Sequence, residues 1–138
     1  MTSNKSILIV EDEAGPRESL RMILKPFYET LIASSGEEAI RIFRTENVNL
    51  VTLDLNMPGL TGIDVLKEMK KIKPEVEVVI ITALATLRNA QQAIQYGAGD
   101  ILSKPFHVSE VINVIKKSFD RLDSRSKIAD QANPTPTS

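Results

Sequence analysis

Residues 51–59 read Val-Thr-Leu-Asp-Leu-Asn-Met-Pro-Gly, VTLDLNMPG. The stretch is a β-type run that ends in a turn: Leu50, Val51 and Leu53 suit a core, and Pro58-Gly59 stops the extended chain. Asp54 falls where the strand should leave the interior. A carboxylate buried there without a partner costs several kcal/mol, so its presence calls for a counter-charge and a task.

Four similar runs flank this one. The expected strands are Ser6–Val10, Glu29–Ala33, Leu50–Asp54, Glu77–Thr82 and Asp100–Ser103. Three of them, ILIV, LVTLD and VEVVIIT, are almost continuously apolar, as strands covered on both faces should be. Between them the apolar residues recur at helical spacing. Leu20, Ile23, Leu24 and Phe27 form a first stripe after Gly15-Pro16, and Pro16 suits a first helical turn. Ser34-Ser35 before Glu37-Glu38 is a capped start for a second helix, with Ala39, Ile40 and Phe43 facing inward. Ile63, Leu66, Met69 and Lys70 give a third helix that ends before Pro74. Leu87, Ala90 and Ile94, closed by Gly97, give a fourth, and Val108, Val111, Ile112, Ile115, Phe119 and Leu122 a fifth. Strands and helices alternating five times imply an α/β fold, a parallel sheet with helices on both faces, because crossovers are right-handed.

The chain has 138 residues, 42% apolar and 25% charged, with a net charge of −1. These values suit one globular domain and give no reason to expect nucleic acid or an anionic membrane as a partner. The absence of cysteine excludes disulfides and thiolate chemistry, and a single histidine excludes a multi-histidine metal site. Ile7 to Val10, followed by Glu11-Asp12-Glu13, is too short for a signal peptide or a membrane span, so a cytoplasmic location is expected. Residues 1–123 read as the domain. Residues 124–138, polar with Pro134 and Pro136, read as a disordered tail or the start of an interdomain linker.

In an open parallel sheet, ligands bind beyond the carboxyl ends of the strands, where the strand order reverses. The residues at those ends are Glu11, Asp12, Asp54, Thr82 and Lys104. Two carboxylates about 5 Å apart repel by roughly 3 kcal/mol at an effective dielectric of 20, so a compensating cation is expected. Oxygen ligands of this kind suit Mg²⁺. Taken singly each residue has a plainer reading: an acidic pair in a loop, a strand-end helix cap, a snorkelling lysine, a β-branched strand threonine. His107, past the strand end and without a histidine partner, reads as a helix-start or surface residue, and Met57 as packing under the loop. Lys116, Lys117 and Arg121 read as cations that complement the end of the last helix.

ILIVEDE, DLNMPGLTG, IITA and GAGDILSKPF, in this order and spacing, resemble a bacterial two-component response-regulator receiver domain over about residues 5–122. The resemblance implies a flavodoxin-like (βα)5 sandwich of strand order 2-1-3-4-5 and a role as a phosphorylation switch in a phosphorelay. Asp54 would then accept a phosphoryl group from a sensor histidine kinase or phosphotransfer protein. Glu11, Asp12, Asp54 and the backbone carbonyl of Asn56 would hold Mg²⁺, Lys104 would pair with a phosphoryl oxygen, and Thr82 would bond the phosphoryl group on arrival. A cis bond is implied before Pro105. Output would pass through the fourth helix, fifth strand and fifth helix to a partner protein, a further domain or a second copy on phosphorylation. Such a chain is not an enzyme on external substrates; it promotes its own phosphorylation and dephosphorylation only.

Phosphoryl transfer needs positioning and charge neutralisation more than acid–base work, and a carboxylate is already a nucleophile at neutral pH. Two positions depart from the family pattern. Ile101 stands where an aromatic switch residue is usual, and Leu84 occupies a position that tunes access of water. The alternative reading is a Mg²⁺-dependent phosphohydrolase with Asp54 as nucleophile; such enzymes commonly place a second acid two residues later, where this chain has Asn56. No further domain fits after Leu122, which suits a stand-alone regulator or the receiver end of a longer one.

Overall fold

The computed structural model describes residues 5–132. The elements alternate strictly: β1 Ser6–Val10, α1 Ala14–Leu24, β2 Glu29–Ala33, α2 Gly36–Thr45, β3 Leu50–Leu53, α3 Gly62–Ile72, β4 Glu77–Thr82, α4 Leu87–Gln95, β5 Asp100–Ser103 and α5 Val108–Ala132. The strands pair in parallel in the order β2-β1-β3-β4-β5. This is the expected flavodoxin-like order, with Asp54 one residue beyond β3.

Pleating divides the strand residues between two cores. Leu8, Val10, Val51, Leu53, Val78 and Ile80 pack on one face with Ala39, Phe43, Val65, Leu66 and Met69 of α2 and α3. Ile7, Ile9, Leu50, Val79 and Ile81 pack on the other with Leu20 and Leu24 of α1 and Val111, Ile115 and Phe119 of α5. Residues of β1, β3 and β4 are thus buried on both sides, which is why their sequences lack polar alternation.

Helix starts follow local chemistry. The Ser35 hydroxyl accepts from Glu38 N–H (3.1 Å), Thr61 from Asp64 N–H (3.2 Å) and Thr86 from Asn89 N–H (3.2 Å).

Four details differ from the sequence reading. Phe27 is 55% exposed and lies outside α1, which stops at Leu24 because Pro26 cannot continue it. Tyr28 takes the packing role, its ring stacked on Phe119 with centroids 4.9 Å apart. On α4 the fully buried residue is Ala93, while Leu87 and Ile94 face solvent at 75% and 59% exposure. The small alanine lets this helix lie close to the body, so the larger apolar stripe points outward. Val108 is likewise exposed, at the first turn of α5.

The fourth difference is the length of α5. Residues 124–132 of the expected tail continue the helix, which has neither Gly nor Pro before Pro134 to break it; residues 133–138 lie outside the described residues. Arg121 is therefore mid-helix and does more than complement a helix end. Its guanidinium donates to Glu77 Oε1 (2.7 and 3.0 Å) and to Asp100 Oδ2 (3.1 Å), and Arg125 pairs with the other oxygen of Glu77. Glu77 is buried at the start of β4. A Cβ on Gly99 would lie 2.4 Å from the Arg121 guanidinium, so the glycine leaves room for this ion cluster.

Candidate functional site

β1 and β3 are neighbours, but the chain leaves β1 toward α1 on one face and β3 toward α3 on the other. The two following loops separate there and leave a crevice at the carboxyl edge. Into it the structure brings Glu11, Asp12, Asp54 and Lys104. Glu11, Asp12 and Asp54 each offer a carboxylate oxygen, all within 4.8 Å of one another. Glu11 and Asp54 are 1% and 3% exposed.

Lys104 follows β5, across β4 from Asp54. Its ammonium donates to Asp54 Oδ2 at 2.8 Å and pairs with Glu11 Oε1. The Lys104–Pro105 bond is cis. Asp54 Oδ1 accepts from Asn56 N–H (3.0 Å), and Glu11 Oε2 from Glu13 N–H (3.1 Å). Burial pushes the Glu11 carboxyl upward in pKa, against the hydrogen bonds from Lys104 and Glu13 that favour its charge. Burial also works to lower the Lys104 ammonium, but hydrogen bonds to Asp54 and Glu11 prevail and hold it above the usual lysine value.

Local sequence fixes the Asp54 loop. Gly59 has φ +79°, a conformation suited to glycine. A Cβ on Gly62 would lie 2.4 Å from the Asp54 carbonyl oxygen and 2.5 Å from Leu55 Cα, so only glycine lets α3 begin this close to the loop. Met57 is buried beneath it.

Thr82 ends β4 on the same edge and is fully buried; its hydroxyl accepts from Leu84 N–H (3.1 Å) and among the described residues makes no bond to Asp54 or Lys104. The Asn56 side chain is exposed. His107 sits outside the crevice, its N–H capped by Glu110 Oε1 at 2.9 Å. Arg17, on α1, was not marked by the sequence reading. Its guanidinium donates to the carbonyl oxygens of Glu11 (3.1 Å) and Asp12 (3.3 Å). The available signal was a cation in the first turn of a helix, where the helix dipole disfavours one, directly after an acidic triplet.

The donor set fits a hard divalent cation. Three crowded carboxylates meet one lysine, and Asp12 Oδ1 is buried without a hydrogen-bond partner. None of the helices among the described residues is long and apolar enough to cross a membrane.

Comparison with known proteins agrees with this geometry. The family model for the response regulator receiver domain matches residues 7–116. Sporulation initiation phosphotransferase F of Bacillus subtilis is 38% identical over 115 residues, spanning 83% of this chain and 93% of that protein. Chemotaxis protein CheY of Thermotoga maritima is 36% identical over 115 residues, 82% of this chain and 96% of that one. The crystal structure of NtrX from Brucella abortus superposes with a TM-score of 0.89 at 31% identity, covering 96% of this chain and 31% of NtrX.

Proposed function

The chain belongs to the response-regulator receiver family, and from that premise we propose that Asp54 accepts a phosphoryl group in a two-component phosphorelay. Receiver domains are not classical enzymes, and they work between histidine kinases or phosphotransfer proteins and output domains. The observation that carries the assignment is the 2.8 Å contact of Lys104 with Asp54, at the carboxyl edge beside Glu11 and Asp12.

In the proposed step an Asp54 oxygen attacks the phosphorus of a phosphohistidine. A P–O bond forms, the P–N bond breaks, and its electron pair returns to the imidazole nitrogen. Asn56 N–H and Lys104 hold the two Asp54 oxygens before transfer, so the carboxylate is already oriented. Lys104 then turns to a phosphoryl oxygen, and the Thr82 hydroxyl, released from Leu84 N–H, bonds another. Glu11, Asp12, Asp54 and the Asn56 carbonyl would hold Mg²⁺, which when bound offsets the charge of the carboxylates and the transferred group. The test is incubation with Mg²⁺ and phosphoramidate: one phosphoryl mass should appear, and EDTA should prevent it.

Asp12 has no cation of its own among the described residues. Asp12→Ala should abolish phosphorylation, yet without Mg²⁺ it should be more stable than the parent by about 1 kcal/mol through relief of repulsion. Urea unfolding with and without Mg²⁺ measures this. A large loss of stability would mean that Asp12 is a structural cap instead.

Residues 1–123 form the receiver body in this reading, and 124–138 begin the connection to an output element. The output face is α4, β5 and α5, where Arg88, Gln92, Gln95 and Lys116 are exposed beside Leu87 and Ile94. Ile101 is partly buried against the core, so an aliphatic side chain there has little room to swing. The switch then rests on Thr82 and the loop from Ala83 to Thr86. Thr82→Ala should accept phosphate but lose most of the change at α4, whereas Ile101→Ala should keep the change and cost about 1–2 kcal/mol of packing. Amide chemical shifts with and without beryllofluoride compare the two, and the opposite pattern would make residue 101 the toggle.

A further inference from the structure

We propose that Arg17 is a positioning residue for the divalent cation, fixing the backbone of Glu11 and Asp12 so that the Asp12 carboxylate points into the site. This rests on the function proposed above and concerns the binding step alone.

The three carboxylates are not held alike. Glu11 is fixed by Lys104 and Glu13 N–H, and Asp54 by Lys104 and Asn56 N–H. Asp12 has no such bond at Oδ1, although this oxygen is buried. With only two side-chain torsions, the reach of an aspartate is set by its backbone. Here both carbonyl oxygens flanking the Asp12 amide and α-carbon, those of Glu11 and Asp12, accept from one nitrogen of Arg17.

Arg17 is itself anchored, since its N–H donates to the Glu13 carbonyl at 3.1 Å as α1 begins. The residue thus staples the three-residue connection between β1 and α1 from the helix side. Guanidinium suits the task because it stays charged and its planar donors hold a fixed direction. Outer-shell groups of this kind orient the ligands of a metal without touching it.

Positioning and simple charge predict opposite results. If Arg17 acted only as a nearby cation, its removal would tighten Mg²⁺ binding. If it positions Asp12, removal weakens binding, by about tenfold at the low end of outer-shell effects. The experiment titrates the full chain with Mg²⁺ alone, following the amides of residues 11–13 and 54–56 by NMR, for the parent, Arg17→Ala and Arg17→Lys.

Arg17→Ala should bind about tenfold more weakly and exchange its 11–13 amide hydrogens faster without metal. Arg17→Lys, whose ammonium can still reach a carbonyl, should recover part of the affinity. Should Arg17→Ala fail to fold, Arg17→Met makes the same comparison with the apolar stem kept and every donor removed. Unchanged or tighter Mg²⁺ binding in a folded Ala or Met variant overturns the proposal. A parent that binds no Mg²⁺ overturns the functional reading together with it, so the two failures are distinguishable.

Discussion

Asp54→Asn is expected to gain no phosphoryl mass from phosphoramidate and Mg²⁺ under conditions where the parent is fully modified. The amide has the shape of the carboxylate, and its single oxygen can still accept from Asn56 N–H, although its nitrogen cannot replace the oxygen that accepts from Lys104, so the fold of the loop should survive. What it lacks is a charged oxygen nucleophile, and no neighbouring group can supply one by removing a proton. Glu11 is committed to Lys104 and Glu13 N–H, and the only histidine lies outside the crevice. The loss should therefore be complete rather than partial. Intact-protein mass spectrometry decides it: an undiminished mass gain in Asp54→Asn would move the acceptor elsewhere. The same preparation separates the switch from the rival hydrolase. A switch releases its own phosphoryl group slowly and turns over no added phosphate monoester, whereas a hydrolase consumes the monoester continuously. Asn56 weighs against the hydrolase, because its amide cannot protonate a leaving group as a second acid would.

The site was legible because its residues stand at strand ends, and strand ends could be read from runs of apolar residues. Ile7 to Val10 and Val78 to Ile81 have no polar alternation, so both faces had to be covered, and the polar residues that follow them, Glu11-Asp12 and Thr82, had to emerge at an edge. The phase of α4 was not legible in the same way. Apolar spacing shows which residues share a face but not whether that face is the closest fit, and Ala93 fits where Leu87 and Ile94 do not. Phe27 was misplaced by following periodicity across Pro26, which ends the helix. Arg17 was passed over because its bonds go to backbone carbonyls, which carry no residue identity to read. Glu77 was the least legible of all. An acid at the start of a strand looks like a solvated residue, and what makes it a buried one is Arg121, 44 positions away.

That cluster gives the second large effect. Arg121→Leu alone should destabilise the protein by about 3 kcal/mol, the lower end of the cost of removing one partner of a buried ion pair. Glu77 would keep Arg125 as a partner, but the Arg125 side chain is 47% exposed while Glu77 is 3% exposed. The carboxylate would lose the two bonds from Arg121 that reach it at 2.7 and 3.0 Å. The double variant Glu77→Val with Arg121→Leu should recover most of the loss, because an apolar pair carries no desolvation cost and Val suits a strand. The two substitutions should therefore be strongly non-additive, as for residues that share one network. Urea unfolding of the parent, both single variants and the double closes the cycle. If Arg121→Leu costs less than about 1 kcal/mol, the pair behaves as an exposed one and contributes little to holding α5 on the sheet. The cluster lies at the amino ends of β4 and β5, whereas Thr82 and Lys104 lie at their carboxyl ends. Phosphorylation of the Arg121→Leu variant should accordingly proceed as in the parent, separating what holds the last helix from what carries the chemistry.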